Sequence, residues 1–287
     1  MAGACIILRS RYEVKHFKVK EYNFVTDKIT EEIKIGFITD LHNCLYGKDN
    51  KSVIEAFEKH KCSFLIIGGD LLVGKRNIGD TNPYDYCGNS AALLNGLMGK
   101  MPVYYTFGNH ETRVKNRRKE NPLYDAYMGM IKNPDIEFLN NKTRIWKNDG
   151  NTLIITGLEI DEEAYDRRDS FKINNSLFGE GKEGYRILIA HSPEFFDEYA
   201  KENIDLVLCG HNHGGTVRLP FIGGVVSRDY KLFPKYSYGV YEKNHKKMLV
   251  TSGIGDHTIH FRLFNMPEAV IITLVPEKGL GKNKEIC

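Results

Sequence analysis

The stretch Ile35-Gly36-Phe37-Ile38-Thr39-Asp40-Leu41-His42 decides how this chain is read, because a short apolar run breaks there into an acid and an imidazole two residues apart. Four more stretches have the same form. Phe64-Leu65-Ile66-Ile67 runs into Gly68-Gly69-Asp70, and Val103-Tyr104-Tyr105-Thr106 is followed by Gly108-Asn109-His110-Glu111. Ile187-Leu188-Ile189 leads to Ala190-His191-Ser192, and Leu206-Val207-Leu208-Cys209 to Gly210-His211-Asn212-His213. Short apolar runs bounded by Gly and polar residues suit buried strands. Strands lying side by side would bring all five clusters to one rim at their carboxyl ends, where open α/β sheets hold ligands. Oxygen and imidazole donors collected there would form a cage for divalent metals.

Between and beyond these runs the pattern alternates helix with strand. Lys51 to Lys61 has helical spacing through Val53, Ile54 and Phe57 and makes a crossover between the first two strands. Further helices are expected over Ser90 to Lys100, Pro122 to Lys132 and from Phe195 to Ala200, with strands at Ile136 to Leu139 and Leu153 to Ile155. The C-terminal third turns β-rich at Val217 to Leu219, Val225 to Val226, Met248 to Thr251 and Ala269 to Leu274. Residues 11 to 33 alternate apolar and polar in pieces and read as an edge strand or hairpin. Two sheets face to face with helices outside is the architecture this order suggests.

The chain of 287 residues is long enough for one large α/β domain, and no Pro, Gly or Ser rich linker divides it. The expected division is an N-terminal extension over 1–32, one domain over 33–277 and a tail over 278–287. Forty Lys and Arg against 37 Asp and Glu leave a formal charge of +3, which argues against a nucleic-acid binder. The basic run Lys115-Asn116-Arg117-Arg118-Lys119 follows directly on the His110 cluster, where it could steer an anionic substrate. Six cysteines at 5, 44, 62, 87, 209 and 287 have neither CxxC nor zinc-finger spacing and read as free thiols, Cys209 as strand core and Cys44 as a small half-buried thiol rather than a group at the mouth of the site. Ala2 to Leu8 is apolar and ends on Arg9, far short of the roughly 20 residues that span a bilayer. It reads either as the end of a membrane anchor, which would tether the domain at a membrane surface, or as an ordinary start, which would leave it cytoplasmic.

The ordered set of five clusters resembles the calcineurin-like metallophosphoesterases, whose pattern runs D-x-H, G-D, G-N-H-[DE], H and G-H-x-H. The resemblance covers roughly residues 33 to 275. Gly214-Gly215-Thr216-Val217-Arg218-Leu219-Pro220 and Phe261-Arg262-Leu263-Phe264-Asn265-Met266-Pro267-Glu268 look like the bacterial branch similar to YkuE and YaeI, in which Gln usually stands where Thr216 is. The family has a four-layer α/β/β/α sandwich with two mixed sheets.

The resemblance implies two divalent cations, with Asp70 bridging them, Asp40, His42 and His213 completing the first site, and Asn109, His191 and His211 the second. It also implies that His110 is not a ligand but protonates the leaving oxygen or stabilises the transition state, with Asp40 or Glu111 orienting it. Imidazoles, carboxylates and an amide oxygen with no thiolate suit manganese, iron or zinc better than magnesium or calcium. A metal-bridging hydroxide would attack the phosphorus in line. His211 and His213, two apart, would share a face on an extended strand, whereas a sharp loop after Gly210 would send them to different metals. His257 and His260 are candidates for support at the rim. The expected activity is hydrolysis of phosphoesters, diesters more than monoesters, with no nucleic-acid or protein partner implied. The competing readings are a non-catalytic metal-binding scaffold and a nuclease of the same superfamily.

Overall fold

Alternate residues of the apolar runs serve two different cores, and this is why those runs are continuous. In β2 (Ile33–Ile38), Ile33, Ile35 and Phe37 face one core and Ile38 another. In β3 (Phe64–Ile67), Phe64 and Ile66 oppose Leu65 and Ile67 in the same way. The computed structural model describes residues 2–167, 171, 173–178, 183–215, 217–219, 223–224, 234–256 and 261–277. Thr216, Val225 and Val226, His257, His260 and the tail 278–287 lie outside the described residues.

The chain opens with α1 (Ala2–Lys15) and β1 (Lys18–Thr26), so the N-terminal part of the segment expected as a strand or hairpin is helical. After β2 come α2 (Lys51–Lys59), β3, α3 (Tyr84–Gly96), β4 (Val103–Tyr105), α4 (Asn109–Asn116), α5 (Leu123–Met130) and β5 (Ile136–Phe138). Then follow β6 (Lys142–Asn148), β7 (Asn151–Leu158), α6 (Glu162–Arg167), β8 (Tyr185–Ala190), α7 (Phe196–Tyr199) and β9 (Leu206–Cys209). The C-terminal part adds β10 (Arg218–Leu219), β11 (Gly223–Gly224), β12 (Gly239–Lys243), β13 (Lys246–Val250) and β14 (Glu268–Pro276).

The first sheet has the order β1-β14-β2-β3-β4-β5 and the second β12-β13-β9-β8-β7-β6. Both are mixed. β2 to β5 run parallel with β14 antiparallel to β2, while β7, β8, β9 and β13 run parallel with β6 and β12 antiparallel at the edges. The core between the sheets is built from the inward residues of both, such as Ile35, Phe64, Ile155, Ile187, Leu208 and Val270. On the outer face of the first sheet, Val53, Ile54 and Phe57 of α2 and Leu93 and Leu94 of α3 cover Leu65 and Ile67. Phe195, Phe196 and Tyr199 cover Leu188, Val207 and Cys209 on the outer face of the second. The result is the α/β/β/α sandwich, and it carries the carboxyl ends of β2, β3 and β4 to the same edge as those of β8 and β9.

Candidate metal centre

Three of the five clusters leave their strands by left-handed turns. Asp40 (φ 55°), His42 (φ 45°), Asp70 (φ 56°), His211 (φ 68°) and His213 (φ 48°) all sit in the left-handed region. Such positions cost about 1–3 kcal/mol each for residues other than Gly and persist where the surroundings over-determine them, a pattern concentrated at functional sites. Asp40 N–H donates to the Gly69 carbonyl (2.9 Å) and His42 N–H to that of Asp70 (3.1 Å), so the first two turns hold each other. Gly69 (φ 95°) packs directly on Gly108, where a Cβ would lie 2.3 Å from the Gly108 nitrogen. That contact brings the α4 N-terminus to Asp70, whose Oδ1 accepts the His110 backbone N–H at 2.8 Å.

The structure brings all seven expected ligands together, every one of them buried. Their carboxylate and imidazole donors fall in three groups: Asp40, His42 and His213 make one, Asp70, His191 and His211 another, and His42, Asp70 and His110 a third that links the two. His42 Nε2 and His213 Nε2 are 3.0 Å apart, as are Asn109 Oδ1 and His211 Nδ1, and His191 Nε2 and Asp70 Oδ2. Neighbouring donors around one cation at 2.0–2.2 Å have about this separation. Of the two paths open to His211 and His213, the structure takes the loop. Positive φ at both residues, and again at Gly214 and Gly215, coils the chain so that His211 joins Asn109 while His213 joins Asp40.

The donor set fits a cation on the chemistry of His191. Its Nδ1–H donates to the Gly68 carbonyl (2.7 Å), which leaves the Nε2 lone pair facing Asp70 Oδ2 at 3.0 Å and Asp40 Oδ1 at 3.7 Å. A lone pair and two carboxylates converge there, fully buried, an arrangement that requires positive charge. Without metal a proton supplies it. Burial alone would lower the His191 pKa, but the Asp70 and Asp40 carboxylates outweigh it and push it up to about 9. Asp70 answers in kind. Burial would raise its pKa, yet the charge and hydrogen bond of His191 hold it well below the usual carboxylate range.

His110 lies with its Nε2 3.9 Å from Asp70 Oδ2, so position alone does not separate a ligand from a hydrogen-bond donor. Gly74 decides it. The Gly74 N–H donates to His110 Nδ1 (2.7 Å), so the neutral ring carries its proton on Nε2, with no lone pair there for a metal. Gly74 is close enough to act because it has no Cβ, which would lie 2.6 Å from the His110 carbonyl oxygen.

Beside the expected Asp40 or Glu111, the Gly74 N–H is a further group that orients His110. Glu111 also has other work. Its fully buried carboxylate accepts the N–H groups of Asp70 (2.8 Å), Leu71 (2.7 Å), Leu72 (3.3 Å) and Gly108 (3.1 Å) and the Tyr105 hydroxyl (2.8 Å). Asp40 accepts the His211 N–H and the Thr39 hydroxyl.

Three of the four cations in the basic run beside His110 are engaged elsewhere. Lys115 holds both oxygens of Glu159 at 2.8 Å, Arg113 and Arg117 reach Glu162, and Arg118 reaches Asp125. Pairing cancels most of the field that would steer an anion. Cys44 is half-buried and accepts the Asp256 N–H (3.2 Å), with its thiol pushed up to about 11 by burial.

Sequence reasoning passed over four residues that the structure sets at the centre. These are Gly74, Tyr165, whose ring lies 5.2 Å from that of His211, Arg262, whose Nη2 is 3.2 Å from His213 Nδ1, and Asn265, whose amide donates to the His213 carbonyl (2.6 Å). Arg262 and Asn265 stand in a segment already noted for its resemblance. For Tyr165 the local sequence holds no such signal.

Residues 33–215 match the calcineurin-like phosphoesterase family, and the chain belongs to it. It is 28% identical over 282 residues to a metallophosphoesterase of Aquifex aeolicus (strain VF5), covering 95% of this chain and 96% of that one. It is 31% identical over 247 residues to the phosphodiesterase YaeI of Escherichia coli (strain K12), covering 84% and 82%, and 25% identical over 251 residues to YkuE of Bacillus subtilis (strain 168), covering 84% and 78%. Among solved structures, the NAD nucleotidase of Haemophilus influenzae shares the fold with a TM-score of 0.51 at 19% identity, over 78% of this chain and 45% of that one. The protein is thus a metal-dependent phosphoester hydrolase. Among the described residues no helix is long and apolar enough to cross a membrane.

Proposed function

We propose that the protein hydrolyses phosphodiesters at a centre of two divalent cations, with Asp70 as the ligand common to both. The observation that carries this reading is the place of Asp70 in two donor groups at once, one shared with His42 and His110 and one with His191 and His211. Asp40, His42 and His213 would hold the first cation, and Asn109, His191 and His211 the second. Nitrogen and oxygen donors without thiolate favour manganese, iron or zinc. Bound there, two such ions lower the pKa of a water toward neutrality and neutralise the phosphoryl oxygens.

The chain's own groups do the rest. The Gly68 carbonyl fixes the His191 tautomer, Glu111 fixes the Asp70 turn, and the Gly74 N–H fixes His110 with its Nε2–H directed into the centre. That N–H is placed to hydrogen-bond an oxygen of the phosphoester as charge develops on it, help worth about 10²–10⁴ in rate. A full proton transfer from neutral imidazole is unfavourable, so His110 stabilises the leaving oxygen as a donor. The preference for diesters rests on the likeness to YaeI, named a phosphodiesterase.

The test is turnover of bis-(p-nitrophenyl) phosphate against p-nitrophenyl phosphate by protein stripped of metal and reloaded with manganese, iron or zinc, alongside elemental analysis of untreated protein. Faster cleavage of the monoester would overturn the diester reading. Two ions per chain without turnover of any phosphoester would favour the scaffold. The formal charge of +3 and the paired basic run support a substrate other than nucleic acid, and tight, salt-sensitive DNA or RNA binding would overturn that point.

A further inference from the structure

The first helix packs against a turn that holds the loop of His213, and its polar contacts there are buried. Ser10 Oγ accepts the Arg262 N–H (3.2 Å), and Glu13 Oε2 accepts the Asn265 N–H (3.0 Å) while Oε1 accepts from Arg9 Nε (2.6 Å). Ser10 is 4% exposed and Glu13 1%. A buried carboxylate is costly unless it is paired and hydrogen-bonded, and Glu13 is both. What it fixes is the 262–265 turn.

From that turn two side chains reach the first donor group. Asn265 Nδ2 donates to the carbonyls of His213 and Gly215, each at 2.6 Å. The Arg262 guanidinium, 2% exposed, donates through Nη1 to the Asn265 carbonyl (3.0 Å) and through Nη2 to the carbonyls of Ser252 (2.9 Å) and Gly255 (2.6 Å), with His213 Nδ1 at 3.2 Å. Two carbonyls take the Nη2 hydrogens, so Arg262 fixes the 252–255 segment, and its approach to His213 Nδ1 is packing beside the ring rather than a hydrogen bond to it. The 252–255 segment in turn holds Asp40. Gly255 N–H donates to the Asp40 carbonyl (2.8 Å) and Ile254 N–H to that of Thr39 (2.9 Å). His213 and Asp40 are two of the three protein donors that distinguish the first cation site from the second.

We infer that Ser10 and Glu13 are positioning residues for the first cation site, acting through Arg262 and Asn265 on His213 and Asp40. The inference rests on the two-cation reading. It assigns the N-terminal helix a part in metal affinity, not merely in packing, and it predicts an asymmetry between the sites. Partners one step removed from a metal ligand typically change affinity 10–100-fold when altered, and the loss falls on the first site.

The experiment measures Zn²⁺ affinity by competition with a chromophoric chelator in two backgrounds of the full chain. In His211→Ala protein the remaining tight site is the first, and in His42→Ala protein it is the second. Adding Glu13→Ala is expected to weaken Zn²⁺ about tenfold in the His211→Ala background and to leave the His42→Ala background unchanged. Glu13→Gln, which keeps an oxygen to accept the Asn265 N–H, should restore most of the loss. If Glu13→Ala does not fold, as judged by circular dichroism, Ser10→Ala removes a single acceptor and should give the same asymmetry at smaller amplitude. Equal losses in both backgrounds, or no loss in either with only a lower melting temperature, would overturn the inference and leave the helix a packing element. Fewer than two Zn²⁺ per chain in the unaltered protein would overturn the two-cation reading itself, a result distinct from either.

Discussion

At the scale of residues, Asp70 and His110 separate binding from rate. Asp70→Ala should abolish turnover and lower bound metal at both positions, because it removes the shared donor. Elemental analysis showing two ions and near-normal turnover would refute that role. His110→Ala should keep both ions and lose about 10²–10⁴ in rate, less with a substrate whose leaving group is very acidic. If it sheds metal as readily as His211→Ala, His110 is a ligand. His191 makes metal binding depend on pH. Its folded pKa of about 9 lies above the ordinary 6.5, so in metal-free protein the stability it contributes is complete below about pH 6.5 and is lost as pH rises through about 9. Metal must displace that proton. Affinity for Zn²⁺ should therefore rise with pH across this window, with proton release seen in weakly buffered calorimetry. His191→Ala protein with the same slope would refute the assignment.

At the scale of elements, the turn after β3 and the start of α4 form one unit tied by Glu111. Glu111→Ala leaves the N–H groups of Asp70, Leu71 and Gly108 and the Tyr105 hydroxyl without their buried acceptor. At about 1–3 kcal/mol for each group so stranded, the loss should amount to several kcal/mol. The urea midpoint of metal-free protein reads it, and an unchanged midpoint would show that the turn holds itself. Gly74→Ala acts on the same unit from the other side, because its Cβ would press on the His110 backbone. We expect metal content to survive and turnover to fall, as in His110→Ala.

At the scale of the whole molecule, the centre joins two sheets. Asp40, Asp70 and Asn109 follow strands of the first sheet, and His191, His211 and His213 follow strands of the second. Each bound ion therefore links the layers. An ion present at about 100 times its dissociation constant adds about 2.7 kcal/mol, so two should raise the melting temperature by on the order of 10 °C for a domain of this size. Calorimetry before and after chelation tests it, and identical melting curves would mean that the ions do not bridge the halves.

The sequence by itself determined the strand runs and the polar cluster that ends each of them, because apolar periodicity is a local property of the chain, and the resemblance those clusters carry pointed to the seven proposed donors. The sequence also carried the layered α/β/β/α order, since alternate residues of β2, β3, β8 and β9 had to be buried on both faces. Tertiary structure alone decided which donors meet. His211 and His213 part company through left-handed turns that spacing leaves open, and Lys115, Arg117 and Arg118 of the basic run pair with Glu159, Glu162 and Asp125, acids that no local pattern ties to them. Glu111, Gly74 and Glu13 owe their work to backbone N–H groups, which every residue carries and no sequence pattern distinguishes. Those bonds form only when segments far apart in the chain are packed together, and that packing is what turns a set of ligands into a centre.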